Sequence, residues 1–283
     1  MIEIPEAAVL ARQCSEALVG KTIEGVVAAA SPHKFAWFHG DPAGYRGLLS
    51  GKRMEGAWAF GGLVELAAGD CRILFGDGVS LRYHATPESV PGKHQLCLTF
   101  TDSSALVCTV QMYGGMWAIP YGEDLGSYHR TAKEKPSPLS EAFHEAYFDS
   151  LRDDETAKLS SKAFLATEQR IPGLGNGVLQ DILWNARIHP KRKIGTLSSG
   201  EFEVLYRAVR STLAEMTAAG GRDTEKDLYG KAGGYVTKLS RNTVGKPCPV
   251  CGSILQKASY LGGAIYWCGG CQVDPCSLES QAR

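Results

Sequence analysis

RIPGLGNGVLQDILWNARIHP, residues 170–190, joins two helical patterns across a glycine-bearing turn, Gly173-Leu174-Gly175. Apolar residues at three and four spacing mark the second helix, which Asn176 is placed to open. Such a joint brings unpaired backbone N–H groups, the positive end of a helix dipole and the Asn176 side chain to one point, a natural seat for a phosphate. A lone GxG turn serves equally well as a packing joint between helices, so the flanking chain has to separate the two.

On the C-terminal side lies a basic segment. Residues 187–257 carry 13 basic and 6 acidic residues, although the whole chain of 283 residues balances 30 against 30. Charge asymmetry of this kind suits a face that meets a polyanion, and equally a solvated basic surface. Beyond it, Cys248, Cys251, Cys268 and Cys271 form CPVC, sixteen intervening residues and CGGC. This spacing places four thiolates around one zinc ion, with SILQKASYLGGAIYW folding as two short strands around Gly262-Gly263. Cys14, Cys71, Cys97, Cys108 and Cys276 lack such spacing and read as core fillers or free thiols.

On the N-terminal side, SEAFHEAYFDSL, SKAFLATEQ and, after the turn, SGEFEVLYRAVRSTLAEMTAAGG are helical, with Ser140, Ser161 and Ser198 or Ser199 as caps and Gly220-Gly221 as the stop. KEKPSPLSEAF, residues 133–143, is a proline-bearing linker into these helices. Ahead of it, residues 21–121 alternate or run apolar between Gly, Asp and Ser turns. The DGV and TDSS turns mark hairpins, so an antiparallel sandwich or barrel is expected there, led by a helix from Pro5 to about Leu18 that stops at Gly20. The acidic start MIEIPEAAVL is no secretory signal, and no window approaches 18 uncharged apolar residues, so a cytoplasmic chain without a membrane partner is expected.

GLGN followed by D-I-L-W-N-A-R-I-H-P, with Lys162 upstream and the CxxC…CxxC hairpin downstream, resembles the helix-two-turn-helix DNA glycosylases of the formamidopyrimidine-DNA glycosylase and endonuclease VIII family. MIEIPE, KHQLCLTFTD and KPSPLSEAF resemble further landmarks of that family, in the same order. The resemblance implies an α+β chain: an N-terminal antiparallel β-sandwich with a leading helix (1–132), a helix-two-turn-helix DNA-binding domain (133–240) and a C-terminal zinc β-hairpin with tail (241–283). It implies a monomer that grips damaged duplex DNA and flips a nucleotide out of the stack, because the glycosidic carbon is inaccessible inside it. By position, Lys162 and Asn176 resemble the family's phosphate-gripping pair, and His94 its strand histidine. Gln111, Met112 and Tyr113 stand where the family fills the vacated space in the duplex. Arg241, Lys246 and Lys257 flank the hairpin as candidate backbone contacts, and bacterial members would sit on the nucleoid.

The chain departs from that pattern at its chemistry. The family's nucleophile is an N-terminal proline exposed by loss of the initiator Met; here that position is Ile2, whose bulk is expected to keep Met1 in place. The α-amine is then displaced by one residue, about 3.8 Å of chain. An ungapped alignment puts Gly62 where the family has a hairpin lysine, Lys52 being ten residues earlier. Asp77 stands where the family often has an intercalating methionine, and Gly263, five residues before Cys268, where it has a zinc-finger arginine. Glu3 is retained and can act as general base on water, while the Met1 or Ile2 amine can act as a substitute nucleophile. These residues leave three readings: a DNA glycosylase with doubtful lyase activity, a catalytically silent binder of lesions, abasic sites or distorted DNA, and a zinc-ribbon RNA-binding module.

Overall fold

The computed structural model describes residues 1–272; Cys276 lies outside the described residues. The chain divides into two compact units, Met1–Lys133 with Thr217–Tyr235, and Glu134–Met216 with Val236 onward. No described helix is long and apolar enough to cross a membrane.

The first unit opens with helix α1, Ile4–Leu18, which starts on Pro5 and ends before Gly20 at φ +91°. Seven strands follow: β1 Ile23–Ala28, β2 Ala36–Phe38, β3 Met54–Phe60, β4 Leu63–Ala68, β5 Cys71–His84, β6 Leu96–Phe100 and β7 Ala105–Pro120. They form one sheet in the order β1-β6-β7-β5-β4-β3, with β2 laid parallel on β7. A short helix α2, Tyr45–Leu49, sits between β2 and β3. The long strands β5 and β7 serve both halves of the sheet, which then share a single core: Leu66, Ile73, Phe75 and Met116 from one half, Leu81, Leu98, Phe100 and Leu106 from the other, closed by Leu10 and Cys14 of α1.

FGDGVSL is not a hairpin, which corrects the expectation for its DGV turn. Asp77 adopts φ +61° and the ladder steps from Asp77↔Gly114 to Val79↔Val110, so β5 continues through a bulge. Three residues of β7, Gln111 to Tyr113, stand opposite Gly78 alone. A Cβ at Gly78 would lie 2.4 Å from the Tyr113 carbonyl oxygen, so glycine is what lets the two strands close there. The TDSS turn does form the β6–β7 hairpin, with Phe100 N–H donating to Ser104 O.

Helix α3, Ser127–Glu134, occupies the start of the stretch expected as linker. The second unit carries α4 Glu145–Ser150, α5 Ser161–Ala166, α6 Val178–Asn185 and α7 Ser199–Ala218. Their caps differ from expectation in three places: His144 caps α4, Ser160 rather than Ser161 caps α5, and α6 begins after Gly177, leaving Asn176 free for other work. Ser198 and Glu201 form a reciprocal capping box on α7. Strands β8 Leu255–Tyr260 and β9 Gly263–Cys268 pair tightly, and Leu261 and Gly262, both at positive φ, make the turn. Cys14, Cys71, Cys97 and Cys108 are buried free thiols, as their scattered spacing suggested.

Candidate functional site

In the second unit the glycine-bearing turn and the hairpin tip converge. Buried Lys162 on α5 donates its Nζ to Tyr260 O at 2.6 Å, and desolvation holds its pKa below the usual lysine value. Asn176 donates through Nδ2 to Ala264 O at 3.0 Å. Gln180, one turn into α6, donates to Asn176 O and Ala264 O and accepts Tyr266 N–H. Asp181 beside it accepts the backbone N–H groups of Lys238 and Leu239, both at 2.8 Å. A Cβ at Gly263 would lie 3.3 Å from Lys162 Nζ and 3.5 Å from Asn176 Oδ1. The two residues singled out for phosphate binding therefore meet at one point, on the hairpin turn itself. Gln180 was not singled out, and Asp181 entered only as a letter of the quoted motif, because a polar side chain inside a helical pattern reads as solvent-facing until its distant partners, 57 to 86 residues away, are known.

At the base of that hairpin the sulfurs of Cys248, Cys251, Cys268 and Cys271 all lie within 4.8 Å of one another. The Sγ pairs Cys248–Cys271 and Cys251–Cys268 are 3.8 and 3.3 Å apart. Four thiolates at about 2.3 Å from a tetrahedral ion stand about 3.8 Å apart, so this donor set fits a thiophilic metal. Arg241, Lys246 and Lys257 are exposed, the last with its ammonium 5.9 Å from the centre of the Tyr266 ring.

In the first unit the chain terminus forms a charged cluster. The Met1 α-amine pairs with Glu225 Oε2 at 2.6 Å, and buried Ile2 donates its N–H to Asp77 O at 2.7 Å. Glu3 is buried, its carboxylate 3.5 Å from Arg222 Nη1. The same guanidinium grips Glu6 through Nε and Nη2 at 3.0 and 2.8 Å. The attraction of Glu3 and Glu6 outweighs burial and raises the Arg222 pKa, so this cation stays charged. Glu6 thereby anchors the segment Thr217–Tyr235, which is also tied down where Leu228 N–H donates to Gln13 Oε1. Met1, Ile2, Glu6, Gly78, Gln111 and Glu225 border a polar cavity of about 240 Å³.

Met112, 68% exposed, lies in the bulge of β7, and Tyr113 packs against Trp37 at 5.8 Å between ring centres. His94 sits in the loop before β6, its Nδ1 2.9 Å from Pro91 O. Gly62 lies in the β3–β4 turn and Lys52 at the opposite end of that hairpin, where it pairs with Asp70.

The family model of the formamidopyrimidine-DNA glycosylase H2TH domain matches residues 135–227. A curated formamidopyrimidine-DNA glycosylase of Lactobacillus delbrueckii subsp. bulgaricus is 28% identical, over 96% of this chain and 99% of its own length. The chain carries an H2TH domain of the formamidopyrimidine-DNA glycosylases and is similar to these enzymes over nearly its whole length. A glycosylase of that name from Chloroflexus aggregans is also 28% identical, with the same coverage. The fold agrees with two solved relatives. Lactococcus lactis Fpg, in complex with an abasic site containing DNA, superposes with a TM-score of 0.81 at 23% identity, covering 96% of this chain and all of that one. MutM (Fpg) from Thermus thermophilus gives 0.78 at 24%, covering 95% and 98%. Gly263 leaves room for Lys162 and Asn176 to reach the hairpin backbone.

Proposed function

We propose that this chain is a DNA glycosylase of base-excision repair, acting on a flipped base in damaged duplex DNA, with the Met1 α-amine as its nucleophile. The observation that carries the proposal is the terminal amine held at 2.6 Å by Glu225 on the rim of a polar cavity, with buried Glu3 two residues away. A primary amine can perform the attack expected of the family's proline. Once Glu225 has taken its proton, the amine nitrogen bonds to the sugar C1′ and the C1′–N bond to the base breaks. The bond's electrons and a proton leave with the base, and opening of the sugar ring leaves a Schiff base. Glu225 is the acceptor already in place; Glu3, held by Arg222, is positioned to orient the sugar or to activate water.

Lys162 and Asn176 are proposed to hold the phosphates beside the lesion, with His94, Arg241, Lys246 and Lys257 on the backbone and Gln111, Met112 and Tyr113 in the space that the flipped base leaves. The four cysteines are proposed to bind one structural zinc ion. The protein would act as a monomer in the cytoplasm, on the nucleoid in a bacterium.

The second reading, a silent binder of lesions, has one observation in its favour: the amine and Glu3 are both engaged in ion pairs. Incubation with labelled duplexes carrying an oxidised purine, an oxidised pyrimidine or an abasic site, with and without borohydride, separates them. A trapped adduct that moves to the N-terminal peptide supports the amine. Base release without trapping, lost in Glu3→Gln, transfers the chemistry to Glu3 and water. Tight binding without either outcome replaces the glycosylase with the silent binder.

A further inference from the structure

The first unit holds a second cavity, of about 260 Å³, walled by the aromatic rings of Trp37, Phe38, Trp117 and Tyr128. Its size lies just below the roughly 300–1,000 Å³ of sites for drug-sized ligands, so it suits a single ring system. No lysine or arginine lines it, and its two histidines, His39 and His129, are turned to Glu123 and Glu65, so the lining offers little to a phosphate or carboxylate, whereas flat aromatic walls favour a planar heterocycle. One carboxyl group lines it, that of Asp77, which accepts no hydrogen bond from any described residue although it is half-buried among these rings. Burial pushes its pKa up, the mark of an acceptor whose water has been removed without replacement. The residue is held in place by its left-handed backbone, φ +61°, at the β5 bulge, and its carbonyl receives Ile2 N–H. Trp37 stands between this cavity and Tyr113 of the β7 bulge.

We infer that this cavity is a purine-binding pocket, selective for a guanine edge, in which the rings of Trp37 and Trp117 stack on the base and the Asp77 carboxylate accepts its adjacent N1–H and N2–H donors. A carboxylate is an acceptor only, with two oxygens that match two neighbouring donors. Adenine, with an acceptor at N1, offers a single donor there. The base can come from a free nucleoside or from DNA, as the partner of an abasic position everted beside the Met112–Tyr113 tip. The DNA source rests on the glycosylase reading; the pocket itself does not.

The test uses the full-length protein and tryptophan fluorescence. Guanosine is expected to quench saturably, with adenosine, cytidine and thymidine at least about tenfold weaker. Asp77→Asn, which keeps a residue tolerant of positive φ, is expected to abolish that preference, and Trp37→Ala to weaken binding of every purine. A parallel arm compares duplexes with an abasic site opposite guanine or opposite thymine. Preference for guanine that Asp77→Asn removes identifies the DNA base as the source; a preference confined to guanosine identifies the free nucleoside. Absence of saturable quenching, or quenching that Asp77→Asn leaves unchanged, overturns the pocket. Base release from damaged duplexes is scored separately, so loss of guanosine binding with intact base release removes the pocket alone, and the reverse removes the glycosylase alone.

Discussion

Arg222 is the side chain on which the acidic start of this chain depends. It is 3% exposed and meets Glu3 and Glu6 together, so Arg222→Met takes the buried cation away from two carboxylates. The substitution is expected to cost about 3–5 kcal/mol of unfolding free energy, measured by urea titration. Glu6→Gln, which keeps shape and one acceptor, should cost less. At the nucleic-acid side, Lys162→Ala should weaken duplex binding by about tenfold and lower the slope of log K against log salt by about 1, read by fluorescence anisotropy across a salt series. A Lys162→Ala protein that binds with unchanged affinity and slope would assign that ammonium to holding Tyr260 O alone. Glu3, Lys162 and Asn176 could be singled out in the sequence because the chain keeps the local pattern around each, and the last two meet on the hairpin turn. Arg222 and Glu225 were not: each meets its partner across more than two hundred residues, and neither lies in a motif of its own.

The strand with the bulge, β5, shows why elements are harder to read than motifs. RILFGDGVSLRY has the Asp-Gly pair that usually turns a chain, yet strands on both sides keep it extended, and the positive φ at Asp77 serves a bulge instead. Sequence period alone cannot separate the two, because both place apolar residues alternately on either side of a glycine. Gly78→Ala is expected to destabilise the first unit, since the added methyl meets Tyr113 O at 2.4 Å, and to shift the Gln111–Tyr113 bulge; thermal melting and tryptophan fluorescence check both. The helix caps were legible to within a residue except at α4, where His144 stands four residues beyond the expected Ser140. Ser198→Ala, which removes half of a capping box, should cost about 1 kcal/mol in a denaturant titration, less than any core truncation in α7.

For the whole molecule, the four-cysteine cluster and the fold class were the most legible features, since four cysteines at fixed spacing and a long antiparallel stretch leave few alternatives. Metal analysis is expected to return one zinc equivalent per chain. Chelation should unfold the β8–β9 hairpin, and with it remove the partners of Lys162 and Asn176, so duplex binding falls together with metal content. Retention of duplex affinity in fully metal-free protein would separate the hairpin from binding. Less legible was the way the chain is shared between its units, because a hydrophobic pattern says which residues are buried and not against which partner.

The first unit is finished by Thr217–Tyr235, so the backbone passes between the units three times, after Lys133, after Met216 and after Tyr235. A single protease nick at any of these points therefore frees neither unit, and fragments should stay associated until denaturant is added. On the ribosome, too, the first 133 residues must wait, with Glu3 and Glu6 uncompensated, until the return segment has emerged from the exit tunnel.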